Sequence, residues 1–350
     1  MQRNLLATVV LGACLSGAHP AHAATMPAHH KEFAIADRFH IAGEGRWDLL
    51  SYDAKRHRLF VSRATHVQVI DTDTGKVVGD IPGTAGVHGI ALADDLNEGF
   101  TSNGKSNSVT VFDLATLKVK GNIKISGADP DIILYQPVTR HLYTFNGHSD
   151  NATVIDAVTH REIKTIALPG KPELAVSDKS GRIFVNIENK SEIDAIDSAS
   201  NRVIRHYPLG KGIGPTGLAI DEKHHRLFSV CANKIMDILD SRTGRIVAEV
   251  PIGSGPDAAA FDPAVGIAFS PNRDGTLTLV KEQDANHFTV MQNLTTLPGA
   301  RSMAYDPSNH RAYLVTASFG PTPPTTRDQP EPKPGVIPDS LVVLRVSLAP

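Results

Sequence analysis

The stretch that decides the fold is "RHRLFVS", residues 56–62, because it returns as "HRLFSV" at residues 225–230. From His57 to His225 the two copies lie 168 residues apart. Variants of the stretch occur between and beyond them: "RHLYTF" from Arg140, "GRIFVN" from Gly181 and "HRAYLV" from His310. The spacings are multiples of roughly 42 residues, and a fixed period of this length predicts a stacked or circular repeat array.

Each repeat contains short runs in which apolar and polar residues alternate between turn residues. The unit around the second copy reads "TGLAID", "RLFSV", "MDILD" and "RIVAEV" within residues 216–250. Period-two alternation and the abundance of β-branched residues predict strands rather than helices. Four strands in about 42 residues are typical of one blade of a β-propeller. Seven such units follow one another along the chain.

The two ends of the chain predict that the array closes into a ring. The seventh unit has no fourth strand, because its third strand "LVVLRV" occupies residues 341–346 of a 350-residue chain. A fourth strand without a unit, "EFAIADRFHIAG", precedes the first unit at residues 32–43. Closure removes exposed strand edges, which favour aggregation. We therefore predict an all-β, seven-bladed propeller of four-stranded antiparallel blades over residues 32–350, with the N-terminal strand completing the last blade.

The repeats resemble a known family. The segment "PTGLAIDEKHHRLFSVCANKIMDILDSRTGRIVAEVPIG", residues 215–253, resembles the YVTN repeat of the YncE-like bacterial propellers, and the resemblance covers about residues 32–346. It implies seven blades, a periplasmic or surface location and, for most members, no catalysis; DNA binding is attributed to one branch. The tetrapeptide that gives the repeat its name is replaced here by "LFVS", "LYTF" and "LFSV".

The first residues predict export from the cytoplasm. A basic Arg3, the largely apolar stretch 5–15 and "AHA" at residues 21–23 are typical of a signal peptide cleaved after Ala23. Residues 24–31 would then form a short N-terminal tail. The alternative is a lipoprotein, since "LGAC" at residues 11–14 resembles a lipobox ending at Cys14. We expect a periplasmic or secreted protein, in which Cys231 fills core space as a small apolar residue.

Composition excludes several classes of protein. The formal net charge is −2, with 35 basic and 37 acidic residues, so the chain lacks the basic character of nucleic-acid binders. Nowhere do 18 consecutive apolar residues occur, and we expect no transmembrane segment. We also expect a monomer.

The mouth of the channel is the predicted binding site. The first strand of each blade lines the channel of a propeller, and the starts of these strands can be aligned across the seven repeats. The aligned positions are Asp48, Gly89, Asp131, Glu173, Thr216, Asp257 and Arg301, and Arg46, Trp47 and His88 lie beside them. The excess of acids favours a small cationic or polar ligand, or an unknown protein partner. A divalent metal ion is the candidate cofactor, with Asp131, Glu173 and Asp257 as ligands. Hydrated or ion-paired acids without a ligand are the alternative.

Three functions are compatible with this mouth. The first is a non-catalytic binding or scaffold role, with no catalytic residue assigned. The second is a metal-assisted enzyme of the lactonase or lyase type, which would use Asp131, Glu173 and His88; no nucleophile motif accompanies them. The third is nucleic-acid binding, which we consider unlikely because carboxylates repel phosphates.

One insertion and a set of histidines complete the prediction. Residues 318–339 contain seven prolines and are expected between strands two and three of the last blade, on the same face as the acidic ring. There they could shade the mouth or contact a partner. His57, His141, His225 and His310 are predicted turn residues, and His148 is an outlying ligand candidate.

Overall fold

Strands occur throughout the described part of the chain, as the repeats predict. The computed structural model describes Met1 and residues 32–325, 332 and 334–349. The predicted cleavage after Ala23, the alternative lipidation of Cys14 and the tail 24–31 lie outside the described residues. The remaining residues form seven sheets of four antiparallel strands each.

The strands of the first three blades follow the closing strand β1 (Phe33–Ile41). Blade one contains β2 (Leu50–Asp53), β3 (Arg58–Arg63), β4 (His66–Asp71) and β5 (Val77–Ile81). Blade two contains β6 (Val87–Ala93), β7 (Glu98–Asn103), β8 (Ser108–Asp113) and β9 (Val119–Lys124), with a 3₁₀ turn at Gly104–Ser106. Blade three contains β10 (Pro130–Gln136), β11 (His141–Asn146), β12 (Asn151–Asp156) and β13 (Arg161–Ala167).

The remaining blades repeat the same order of strands. Blade four contains β14 (Pro172–Ser177), β15 (Arg182–Ile187), β16 (Glu192–Asp197) and β17 (Arg202–Pro208), with a 3₁₀ turn at Glu188–Lys190. Blade five contains β18 (Pro215–Asp221), β19 (Arg226–Cys231), β20 (Ile235–Asp240) and β21 (Ile246–Pro251). Blade six contains β22 (Ala260–Asp262), β23 (Ile267–Asn272), β24 (Thr276–Asp284) and β25 (His287–Thr295). Blade seven contains β26 (Ser302–Asp306), β27 (Arg311–Thr316) and β28 (Leu341–Leu348).

The closing strand completes blade seven, and this confirms the predicted fold. Strand β1 pairs antiparallel with β28 from Phe33 opposite Leu348 to Ile41 opposite Leu341. The sheet order of this blade is therefore β26, β27, β28, β1. Each innermost strand contacts the innermost strand of the next blade, and β26 contacts β2, so the seven blades form a closed ring.

The hydrophobic core lies mainly between neighbouring blades. Phe228 and Val230 of blade five, for example, pack with Ala268 and Val280 of blade six, and all four are buried. Aromatic pairs strengthen such contacts, as in the edge-to-face packing of Phe33 against Phe269 with ring centroids 5.2 Å apart. Burial decreases toward the outer strand, and the first four residues of β9 are all exposed. Adjacent blades thus stabilise each other through their faces.

The recurring histidines are explained by the turn between strands one and two. One residue of this turn has a left-handed conformation in every blade, with φ between 51° and 92°. Glycine, asparagine and histidine adopt this region more readily than β-branched residues. The residues at this position are His57, Asn97, Arg140, Gly181, His225, Gly266 and His310. In blade three the turn residue is Arg140 and His141 begins β11, so that one of the four predicted turn histidines is displaced by one position.

Two further sequence predictions can be compared with the structure. Cys231, the last residue of β19, is fully buried, and its burial raises the pKa of the thiol to about 12, so that the thiol stays protonated. Among the described residues there is no helix with the length and apolar character that a bilayer crossing requires.

Closure by β1 leads to a prediction about stability. Phe33 is 1% exposed, packs against Phe269, and exchanges two backbone hydrogen bonds with the Gln292 side chain of blade six. Replacing Phe33 by Ala should lower the free energy of unfolding by about 3–5 kcal/mol, the usual cost of truncating a buried Phe. Urea denaturation measures this change. The exposed Ala36→Ser in the same strand is the control, and equal stability of the two variants would contradict the prediction.

Candidate functional site

The starts of the innermost strands converge as the sequence predicts. Six of the seven aligned positions line one cavity of about 260 Å³ at the mouth of the channel, together with His88: Asp48, Asp131, Glu173, Thr216, Asp257 and Arg301. The seventh position is Gly89. A Cβ at Gly89 would lie 3.0 Å from the backbone nitrogen of Ile133, so this position allows β6 to approach β10 rather than contributing to the site.

His88 lies between carboxylates from two other blades. Its Nδ1 is 2.6 Å from Oδ2 of Asp48 and 3.6 Å from Oδ1 of Asp131, and its Nε2 is 4.0 Å from Oδ1 of Asp129. Burial opposes the charge on the imidazole, but the three carboxylates outweigh it and raise the pKa of His88 to about 9. His88 is therefore a cation at neutral pH.

Glu173 is held by a lysine that the sequence analysis did not identify. The Nζ of Lys171 is 2.7 Å from Oε1 of Glu173 and 2.6 Å from Oε2 of Glu188. Burial, reinforced by the charge of Asp131, raises the pKa of Glu173 to about 8 although Lys171 opposes the shift. Glu173 therefore carries a proton for much of the time at pH 7.

The third acid of the predicted metal site is paired across a blade interface. Oδ1 of Asp257 lies 3.2 Å from Nη1 of Arg301. Burial raises the pKa of Asp257 to about 6, and the charge of Arg301 limits the increase. Arg273 lies near Arg301. The positive charge of Arg301 is the main cause of the lowered pKa of Arg273. The mouth is thus acidic on the side of blades one to four and basic near blades six and seven.

The basic side opens into a second and larger cavity of about 740 Å³. Arg46, Arg273 and Arg301 line it, and Trp47 and Phe319 form an aromatic wall with ring centroids 5.7 Å apart. Arg38 and His40 of the closing strand also line this cavity. Asp48 and Arg301 line both cavities, so that the two are neighbours at one mouth.

The described part of the Pro-rich insertion borders this larger cavity. Phe319 packs on Trp47, and the guanidinium of Arg46 donates a hydrogen bond of 2.5 Å to the carbonyl of Pro334. Residues 326–331 and 333 of the insertion lie outside the described residues. Trp47 and Arg46, both predicted at the mouth, therefore contact the insertion that the sequence places on this face.

The structure gathers a different metal-ligand set from the predicted one. Among the described residues, three groups of carboxylates and histidines have ligand atoms within 4.8 Å of one another: Asp48 with His88 and Asp131, Glu192 with Asp194 and His206, and Asp221 with His224 and Glu282. The predicted set of Asp131, Glu173 and Asp257 is not among them. Glu173 and Asp257 each contact a cation of their own, whereas Asp131 faces His88.

Four charged residues at the mouth were missed, although the repeats carry a signal for them. Asp129 and Lys171 occupy the same aligned position as Arg46, two residues before the ring. Glu188 and Arg273 are the first residues after the second strand of their blades. His148, the outlying candidate, has its Nε2 3.4 Å from Oδ2 of Asp129. Extending the alignment by these two positions would have found all four.

Comparison with known proteins supports the predicted resemblance. No family model matches the chain. Over 204 residues the chain is 27% identical to the antigen Lp49 of Leptospira interrogans, a match that covers 55% of this chain and 42% of that protein. It is 25% identical over 227 residues to the protein YncE of Salmonella typhimurium, covering 60% of this chain and 63% of YncE. The chain thus spans less than two thirds of the length of either relative.

Solved structures agree with the fold. The chain superposes on hydrazine synthase of Kuenenia stuttgartiensis with a TM-score of 0.69 at 17% identity, covering 79% of this chain and 94% of that chain. It superposes on U3-55K with a TM-score of 0.73 at 8% identity, covering 89% of this chain and 98% of that chain. At these identities the likeness concerns the fold alone.

The environment of His88 leads to a prediction about pH. Its pKa is raised from 6.5 to about 9, so its protonated form contributes stability that is complete below pH 6.5 and is lost as the pH rises through about 9. In His88→Gln that contribution is absent. Urea denaturation of the chelator-treated protein should show a difference in unfolding free energy from the wild type that shrinks between pH 6.5 and 9.5. With Asp48→Asn, this effect of His88→Gln on the unfolding free energy should be smaller. A difference in unfolding free energy that does not vary with pH would contradict the raised pKa of His88.

Proposed function

We propose that this YncE-like seven-bladed propeller is a non-catalytic binding protein whose ligand is a small polar molecule with a positive charge, held at the mouth of the channel. One observation carries the proposal. Asp131, Glu173 and Asp257 line a single cavity, and the pKa of each is raised, chiefly because burial opposes ionisation. A cation in the cavity would stabilise the ionised form of all three carboxyl groups.

The charges that line the smaller cavity support a cationic ligand. Five carboxyl groups line it, whereas His88, Lys171 and Arg301 supply three positive groups. An excess of one sign in a narrow cleft concentrates ions of the opposite sign. The same excess argues against a nucleic acid at this mouth, because its phosphates would be repelled.

The neighbouring cavity suggests what the other end of the ligand is. The Arg273 side chain has no ion-pair or hydrogen-bond partner among the described residues, although Arg301 lies close to it. Trp47 and Phe319 provide an aromatic, apolar surface beside these arginines. Since Asp48 and Arg301 border both cavities, one molecule with a positive group and an anionic, flat group could contact both. A volume of about 740 Å³ lies within the usual range for small-molecule sites.

Export is part of the proposal. The signal-peptide pattern of residues 1–23 supports a periplasmic or secreted location. Sequencing the N-terminus of the protein purified from its own compartment should find Ala24 first. A chain that begins at a lipid-modified Cys14 would instead support the lipoprotein alternative.

A metal-assisted enzyme of the lactonase or lyase type is the second candidate. The observation that favours it is the group of Asp48, His88 and Asp131, since imidazole with two carboxylates is a donor set for divalent transition metals. A metal at that group would polarise a substrate carbonyl. Metal-dependent turnover of a lactone or sugar-acid lyase substrate that disappears in His88→Gln would support this candidate.

The binding proposal predicts that ligand binding releases protons. At pH 7 Glu173 is mostly protonated, because its pKa is raised to about 8, and a bound cation should lower that pKa. Calorimetric titration with putrescine in buffers of different ionisation enthalpy measures the protons released. We expect release in the wild type, and weaker binding with less release in Glu173→Gln.

The control is Glu222→Gln, because Glu222 lies beyond the far end of β18 and pairs with Lys179. It should bind putrescine and release protons like the wild type. Absence of putrescine binding by the wild type, or equal proton release by Glu173→Gln, would contradict a cationic ligand at this mouth.

A further inference from the structure

We propose that the propeller has a second ligand site, a centre for a divalent transition metal formed by Asp221, His224 and Glu282 between blades five and six. It is independent of the proposed function. Thr216 and Asp221 belong to the same strand, β18, and Thr216 lines the mouth. The five residue steps from Thr216 to Asp221 span about 17 Å along a strand. The proposed centre therefore lies at the opposite end of the innermost strand from the mouth.

The three side chains are arranged like ligands around an ion. Nδ1 of His224 lies 2.7 Å from Oδ2 of Asp221 and 3.1 Å from Oε1 of Glu282. Neither Nδ1 of His224 nor Oε1 of Glu282 makes a hydrogen bond to any described residue. Two ligands bound to one metal at 2.0–2.2 Å are separated by about 3 Å. The distances therefore fit coordination of a common ion, and neither contact of His224 Nδ1 has the geometry of a hydrogen bond.

Burial makes an added positive charge favourable. The side chains of Asp221 and Glu282 are only 2% and 3% exposed, and neither forms an ion pair with a lysine or arginine of the described residues. Buried carboxylates are destabilising unless they are paired or bound to a metal. A single imidazolium would balance only one of them. A divalent ion with neutral His224 would balance both and would also satisfy the free oxygen of Glu282.

The repeats show that the fold itself does not require a carboxylate at Glu282. Glu282 donates its backbone N–H to the carbonyl of Gly266, the left-handed turn residue of its blade. Five other blades place an uncharged residue at this position, with the same hydrogen bond to the turn residue: Thr72, Leu114, Ala157, Ser198 and Ser241. A buried acid at this aligned position thus distinguishes blade six from these five blades.

The other two ligands also modify a contact that recurs in the repeats. In blade one, Asp53 at the end of the first strand pairs with Arg56 three residues later, at 2.9 Å. In blade five the corresponding pair is Asp221 and His224. The backbone N–H groups of Lys223 and His224 donate to the Asp221 carboxylate at 2.9 and 3.2 Å and fix its orientation. Such bonds to a ligating carboxylate strengthen a metal site.

The site would connect two blades at a point where one innermost strand is short. Asp221 and His224 belong to blade five and Glu282 belongs to blade six, whose innermost strand β22 has only three residues. The side chain of His224 is 34% exposed, so an ion can enter from solvent and complete its coordination with water. We infer a centre that holds blade six to its neighbour.

Titration of the chelator-treated full chain with Co²⁺ and Zn²⁺ tests the inference. Co²⁺ should produce visible ligand-field absorption, and Zn²⁺ should raise the melting temperature, each saturating at the same site. Glu282→Gln and His224→Gln should weaken binding at least about tenfold. His225→Asn is the matched control: it changes the adjacent turn histidine, Asn tolerates the left-handed φ of 56°, and the metal affinity should stay unchanged.

Variants at the other two groups separate the possible outcomes. His88→Gln at the mouth and His206→Gln in blade four should keep the Zn²⁺-dependent rise in melting temperature. Loss of the rise in either variant, or wild-type affinity in Glu282→Gln, would overturn the inference. If Glu282→Gln fails to fold, His224→Gln decides, because His224 is partly exposed. A metal affinity of His224→Gln equal to that of the wild type would also overturn the inference. The inference would also be overturned if neither Co²⁺ nor Zn²⁺ saturated a site in the wild type.

Discussion

The structure depends on the backbone hydrogen bonds between β1 and β28. A sheet with an open edge exposes unpaired N–H and C=O groups, and the ring form leaves blade seven incomplete unless the first strand joins the last. Closure places the starts of the seven innermost strands around one axis. Residues about 42 positions apart in sequence become neighbours for this reason. The contacts at the mouth, from His88 to Arg301, depend on that convergence.

Convergence also concentrates carboxyl groups at the mouth, and these groups have different positively charged partners. Glu173 and Asp257 each contact a cation from a neighbouring position, while Asp131 faces the imidazole of His88. The carboxyl groups nevertheless keep raised pKa values because they are buried together. Across the same mouth, arginines stand beside Trp47 and Phe319. Groups of opposite charge thus lie side by side at one mouth, with Asp48 and Arg301 lining both cavities.

The fold could be predicted from sequence because period, alternation and the unpaired terminal strand all depend on local pattern. The ring at the mouth followed from alignment alone. The pairing within it did not, since the contacts of Lys171 with Glu173 and Glu188 depend on side-chain directions that the alignment does not give. The contact of Trp47 with Phe319 joins positions 272 residues apart, and no periodicity links them. The group around Glu282 was missed because the sequence of blade six departs from the repeat. The residues of this blade therefore could not be aligned well with those of the other blades.

Ring closure by the first strand has a consequence for biogenesis. Phe33 is synthesised 315 residues before Leu348, the residue it faces in the finished sheet. A nascent chain therefore carries an unpaired first strand until β28 has been translated, and a chain terminated before β28 never pairs it. Early strands with no partner are natural substrates for chaperones. Any copy whose synthesis stops before β28 exposes the unpaired edge of that first strand.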